Sequence, residues 1–165
     1  MKFLMKPRIL IVDDHEIVRQ GIRTLLAKSG TDWEVCGEAA NANDGLEAVK
    51  TLKPDIVILD ITMPGTSGLV AAQRISRLHP SPRVLMFTMH ESERLGTDVR
   101  EAGAQGYVSK SQAARDLVLA IQSLLAGGTF FGAPPETALH DGKTDRGILF
   151  FKALACSDAL RRQYT

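Results

Sequence analysis

A small set of polar side chains in this sequence stands where apolar runs give out. Asp13 and Asp14 follow Arg8-Ile9-Leu10-Ile11-Val12, and Asp60 follows Asp55-Ile56-Val57-Ile58-Leu59. Thr88 closes Arg83-Val84-Leu85-Met86-Phe87, and Lys110 follows Gly106-Tyr107-Val108-Ser109. If the runs are neighbouring strands, these carboxylates, the hydroxyl and the ammonium meet at one edge of a sheet. Carboxylates gathered in a partly desolvated cleft repel one another, and they do not all stay ionised unaided. A hard divalent cation resolves the repulsion, and Mg2+ favours a few carboxylates completed by water and phosphate oxygens. A hydroxyl and an ammonium beside it suit an anion, so the set reads as a Mg2+-assisted phosphoryl site. The adjacent pair Asp13-Asp14 suits the metal. Asp60 stands alone before the turn Thr62-Met63-Pro64-Gly65, where a carboxylate could attack phosphorus and form an acyl phosphate. The cation and Lys110 would spread the charge developing on the phosphoryl oxygens.

The elements that must hold these groups are legible in the spacing of apolar residues. Unbroken apolar runs suit strands buried on both faces, as in parallel sheets covered by helices. Trp33–Ala39 supplies one more strand. Ile17, Val18, Ile22, Leu25 and Leu26 are spaced as one face of a helix that Gly30 closes. Asn43-Asp44 opens a helix carrying Leu46, Val49 and Leu52, which Pro54 ends. Leu69–Leu78, the more polar Glu91–Ala102 and the strongly apolar Ala113–Ala126 read as three further helices, the last stopped by Gly127-Gly128. Strands alternating with helices predict an α/β fold with a parallel sheet and right-handed crossovers, and sites in such folds form beyond the carboxyl ends of the strands.

Composition narrows the class. The chain has 165 residues, 44% of them hydrophobic, with 20 Lys+Arg against 19 Asp+Glu. That length can bury a substantial core, and the near-zero net charge argues against a broadly basic nucleic-acid surface. Cys36 and Cys156 have no metal-ligand spacing and form no small disulfide framework, so both read as free thiols of a reducing, cytoplasmic compartment. Phe3-Leu4-Met5 is cut short by Lys6-Pro7, too early for a signal peptide or a spanning helix, and no membrane association is expected.

Taken together, Ile11-Val12-Asp13-Asp14-His15, Leu59-Asp60-Ile61-Thr62-Met63-Pro64-Gly65, Phe87-Thr88-Met89-His90 and Gly106-Tyr107-Val108-Ser109-Lys110 resemble the motifs of two-component response-regulator receiver domains. Met89-His90 and the ending Leu124-Leu125-Ala126-Gly127-Gly128 resemble the receivers of LuxR/NarL-type regulators. The resemblance implies a flavodoxin-like, doubly wound (β/α)5 fold, its five parallel strands in the order 2-1-3-4-5. It implies a phosphorylation-activated switch that accepts a phosphoryl group from a sensor histidine kinase or phosphotransfer protein. Such a domain is no enzyme in the ordinary sense, though it catalyses its own phosphotransfer and dephosphorylation. Carried onto this chain, Asp60 is the phosphoacceptor, and Mg2+ is held by Asp13, Asp14, Asp60 and the main-chain carbonyl of Thr62. Thr88 would bond a phosphoryl oxygen, Lys110 would pair with the phosphoryl group, and Tyr107 would be the aromatic whose rotamer accompanies switching. His90 would face the phosphoryl site. Many receivers follow the lysine with proline, often after a cis bond, but Ser111 stands there. A cis bond before a non-proline residue costs about 2.5–4 kcal/mol, so the peptide geometry is open at this point.

Other classes fit less well. A flavin- or nucleotide-binding flavodoxin-like module would need a phosphate-binding glycine or hydroxyl loop after the first strand, where Asp13-Asp14-His15 repels phosphate unless a metal intervenes. A haloacid-dehalogenase-type phosphatase would place its nucleophile in an Asp-x-Asp pattern closing the first strand. His15 and His90 have no carboxylate or cysteine partner at ligand spacing, which argues against metal binding by either. The organisation expected is a receiver over residues 6–128, a linker over 129–146 containing Pro134-Pro135, and a short helical tail over 147–165. Residues 129–165 together are fewer than a LuxR-type DNA-binding unit needs, and their five Lys+Arg nearly balance their four Asp+Glu. Direct DNA binding is therefore not expected; the alternative function is a regulator whose DNA-binding output is lost and which acts through protein contacts. The apolar positions Ile148, Leu149, Phe150, Phe151, Leu154 and Ala155 suggest docking of the tail on the receiver or across a homodimer.

Overall fold

The computed structural model describes residues 5–132; the tail expected over 147–165 lies outside them. In chain order the elements are β1 (Arg8–Val12), α1 (Glu16–Lys28), β2 (Glu34–Ala39), α2 (Ala42–Leu52), β3 (Ile56–Asp60), α3 (Gly68–Ser76), β4 (Arg83–Thr88), α4 (Leu95–Glu101), β5 (Gly106–Ser109), α5 (Ala113–Leu125) and β6 (Phe130–Phe131). One turn of 3-10 helix, Lys110–Gln112, joins β5 to α5. All strand pairs are parallel, and the order is β2-β1-β3-β4-β5-β6. The first five strands follow the expected order. The sixth is new: Phe130–Phe131, within the expected linker, adds to the free edge of β5.

The alternation of side chains along each strand divides the core in two. Ile9, Ile11, Ile56, Ile58, Leu85 and Phe87 point to one face, where they pack with Val18, Ile22 and Leu26 of α1 and Leu117, Ile121 and Leu124 of α5. Leu10, Val12, Val57, Leu59, Val84 and Met86 point to the other, against Val49 of α2, Ile75 of α3 and Leu95 and Val99 of α4. Both faces of the central strands are thus dry, which is why these runs carry no polar alternation. Each such side chain contributes about 1.5–3 kcal/mol on burial, enough to fix the strand ends to within a residue.

Local signals explain where the helices depart from the expected spans. Asn41 caps α2, its side chain accepting from the Asp44 amide at 2.8 Å, so the helix starts just before Asn43. The α4 helix begins at Leu95 instead of Glu91, because Glu91, Glu93 and Arg94 are exposed and the first apolar anchor is Leu95. In α1 the buried stripe is Val18, Gly21, Ile22 and Leu26; Ile17 falls off it and is 50% exposed. No described helix is long and apolar enough to cross a membrane.

Candidate phosphoryl and metal site

Register assembles the site. Val12 pairs with Leu59, so Asp13 emerges beside Asp60, which itself pairs with Phe87. Thr88 pairs with Ser109, so Lys110 comes next along the same edge. Every side chain predicted from the strand ends therefore lies on one rim. Asp13, Asp60, Thr88 and Lys110 are buried, at 1–3% exposure, whereas the Asp14 side chain is 22% exposed. The acidic pair is split in role: Asp13 belongs to the floor of the site and Asp14 to its mouth.

The Lys110 ammonium bridges the floor, with Nζ 2.7 Å from Asp13 Oδ2 and 3.3 Å from Asp60 Oδ1. The Thr62 amide donates to Asp60 Oδ1 at 3.3 Å, and Gly68 sits so close behind that a Cβ would overlap the Asp60 carbonyl. That close approach brings the loop after β3 back onto the acceptor. Burial pushes the Asp60 carboxyl up from 3.8 to about 7; the Lys110 ammonium pulls against this, Asp13 adds to the rise, and the Thr62 amide opposes it. Asp13 is held further by its main chain, since its amide donates to the Ala39 carbonyl at 3.1 Å and Arg19 Nη1 donates to its carbonyl at 2.7 Å.

Thr88 is turned toward its own loop: its hydroxyl donates to the His90 carbonyl at 3.0 Å and accepts from the His90 amide at 3.1 Å. Tyr107 is half-buried on β5. Among the described residues the cis peptide bond is His79-Pro80, so Lys110-Ser111 is trans, and the chain passes from Lys110 directly into the 3-10 turn. Ser111 pairs its hydroxyl with that of Ser109 at 2.9 Å.

One expectation is corrected. His15 does have carboxylate partners: its Nδ1 lies 3.1 Å from Asp14 Oδ1 and 3.3 Å from Asp13 Oδ1. Adjacent positions have no ligand periodicity in sequence, but His15 takes extended backbone angles as the N-cap of α1, and its amide donates to Asp13 Oδ1 at 2.8 Å. That local fold turns the ring back over the pair. One ligand atom from each of Asp13, Asp14, His15 and Asp60 lies within 4.8 Å of the others. A divalent cation fits this donor set: the Lys110 ammonium reaches Asp13 and Asp60, and Asp14 at the mouth adds a further carboxylate oxygen of the kind such an ion takes.

A sheet of this strand order with an acidic rim and a bridging lysine defines a receiver-type signalling domain. The chain belongs to the response regulator receiver domain family, which its residues 9–122 match. It is 38% identical over 120 residues to the response regulator GacA of Pseudomonas viridiflava, covering 73% of this chain and 56% of that protein. To UvrY of Escherichia coli it is 38% identical over 125 residues, 76% of this chain and 57% of that one. Among solved structures it is similar to a LuxR-family two-component response regulator from Aurantimonas sp., at 39% identity and a TM-score of 0.72 over 77% of this chain and 90% of that chain. The isolated REC domain of RcsB from Salmonella enterica, solved in the presence of the phosphomimetic BeF3-, aligns at 25% identity with a TM-score of 0.70, covering 89% of this chain and 99% of that one. The chain spans little more than half the length of the curated relatives it matches.

Proposed function

We propose that this chain is a phosphorylation switch that takes a phosphoryl group from a sensor histidine kinase, or a phosphotransfer protein, onto Asp60 with Mg2+. The observation that carries the reading is the Asp60 carboxylate, buried at the strand end and within 3.3 Å of the Lys110 ammonium. In the transfer, an Asp60 carboxylate oxygen attacks phosphorus. The bond from phosphorus to the donor's imidazole nitrogen breaks, its electron pair stays on that nitrogen, and an acyl phosphate remains on Asp60. Lys110 pairs with the transferred oxygens and so exchanges its Asp60 contact for one to the phosphoryl group. Thr88 turns its hydroxyl from the His90 carbonyl to a phosphoryl oxygen, which leaves room for Tyr107 to rotate inward. Mg2+ bound by Asp13, Asp14, Asp60 and the Thr62 carbonyl would neutralise the oxygens that gather negative charge.

Two outcomes follow. A small phosphodonor with Mg2+ should add one phosphoryl mass to the wild-type chain and none to Asp60→Asn; a labile phosphate on the variant would place the acceptor elsewhere. Asp14→Ala should weaken Mg2+ binding about 10-fold or more in titration calorimetry, since removing even an indirect partner of a metal site costs that much. Undiminished affinity would remove Asp14 from the metal set.

A further inference from the structure

The segment after α5 lies as a strap across the α4–β5 face. It leaves the helix through Gly127, at φ +86, and Arg83 Nη2 donates to the Gly128 carbonyl at 2.6 Å. The Phe130 amide donates to the Gln105 carbonyl at 3.0 Å, which starts the β5–β6 ladder. Gly106 permits this approach: a Cβ there would overlap the Phe130 main chain. The Phe131 ring is then held on two sides. The Arg100 guanidinium lies 3.7 Å from its centroid, a cation–π contact, and Tyr107 meets it edge-on at 6.2 Å and 71°. Gly132, at φ +84, completes the clasp, since a Cβ there would sit 3.4 Å from the Tyr107 hydroxyl.

We propose that Phe131 is a positioning residue for Tyr107, holding its ring at the α4–β5 face until phosphorylation turns the ring inward and releases the strap. The proposal rests on the phosphoacceptor reading above. The Tyr107 ring lies between the strap and α4, where Gly96 approaches its Cε1, so turning inward gives up the edge contact with Phe131. By linkage, whatever the strap contact does against the inward state, loading of the site does against the strap. The receiver thereby passes its state to the segment that follows it in sequence, without any second domain touching the phosphoryl pocket.

The test uses the full chain with Mg2+ and beryllofluoride, with fluorine NMR reporting loading and hydrogen exchange reporting the strap. Loading should speed exchange at the Phe130 amide by about 10-fold, and Phe131→Ala should tighten beryllofluoride binding by about fivefold. Phe131→Tyr, which keeps the ring, should bind as wild type does. Gly106→Ala should open the strap without ligand and mimic Phe131→Ala in affinity; if it misfolds, the Phe131 pair alone decides. Loading with unchanged Phe130 exchange, or an affinity for Phe131→Ala within twofold of wild type, overturns the strap proposal while leaving the phosphoacceptor reading intact. No fluorine signal from a loaded site overturns that reading and the strap proposal with it.

Discussion

Replacing Lys110 with methionine should destabilise the protein by about 3–5 kcal/mol at pH 8 in urea unfolding, the cost of leaving buried charge without its partner. Methionine matches the length of the stem, so the loss isolates the ammonium that now bridges Asp13 and Asp60 at 2.7 and 3.3 Å. The cost should shrink toward pH 5, where Asp60 can take up a proton and one of the two stranded charges disappears. Millimolar Mg2+ should recover part of the stability by supplying positive charge to the same carboxylates. Combining Lys110→Met with Asp60→Asn should cost less than the sum of the single changes, because both act on one cluster. A loss below about 1 kcal/mol at pH 8 would mean that Lys110 is solvated and does not serve as the bridge.

The second large effect has the opposite sign. Asp60 has a folded pKa of about 7 against an ordinary 3.8, so between those values the native state holds a proton that the unfolded chain has released. Stability therefore falls as pH rises from about 4 to about 7, and the penalty is fully present above 7. Asp60→Asn removes the titration while keeping the shape. Without added metal, the variant should match wild type near pH 4 and exceed it by about 2–4 kcal/mol at pH 8. Added Mg2+ should narrow that gap by favouring the ionised carboxylate in wild type. Parallel stability curves for the two proteins from pH 4 to 8 would show that Asp60 titrates in the ordinary carboxylate range.

Much of this was readable from residue types. The runs ending at Val12, Leu59 and Phe87 are apolar without alternation because both faces of those strands are covered, and a polar residue following each marks the rim. What sequence could not separate was Asp13 from Asp14, since neighbours in a sequence share every local signal. The division comes from β1 ending at Val12, which sends Asp13 down to Lys110 and leaves Asp14 outside. The place of His15 is hidden in the sequence for a related reason: its reach to the carboxylates depends on backbone angles at the α1 cap. The late start of α4 reflects a polar lead-in with no side-chain cap. Strand β6 is two residues long, too short to show a period, and it exists because Gly106 leaves the β5 edge open. Between Gly127-Gly128 and Pro134-Pro135 the same residues read as linker.

If Asp60 is the phosphoacceptor, reductive trapping will mark it. An acyl phosphate is reduced by borohydride to the corresponding alcohol, whereas a free carboxylate and phosphate esters of serine or threonine are not. After treatment with a small phosphodonor and Mg2+, borohydride followed by peptide mass mapping should place the reduced side chain at position 60, with Asp13 and Asp14 unaltered. Omission of the phosphodonor should abolish the product. Reduction at Asp13 or Asp14, or a stable phosphate with no reduced residue at 60, would show that Asp60 is not the acceptor.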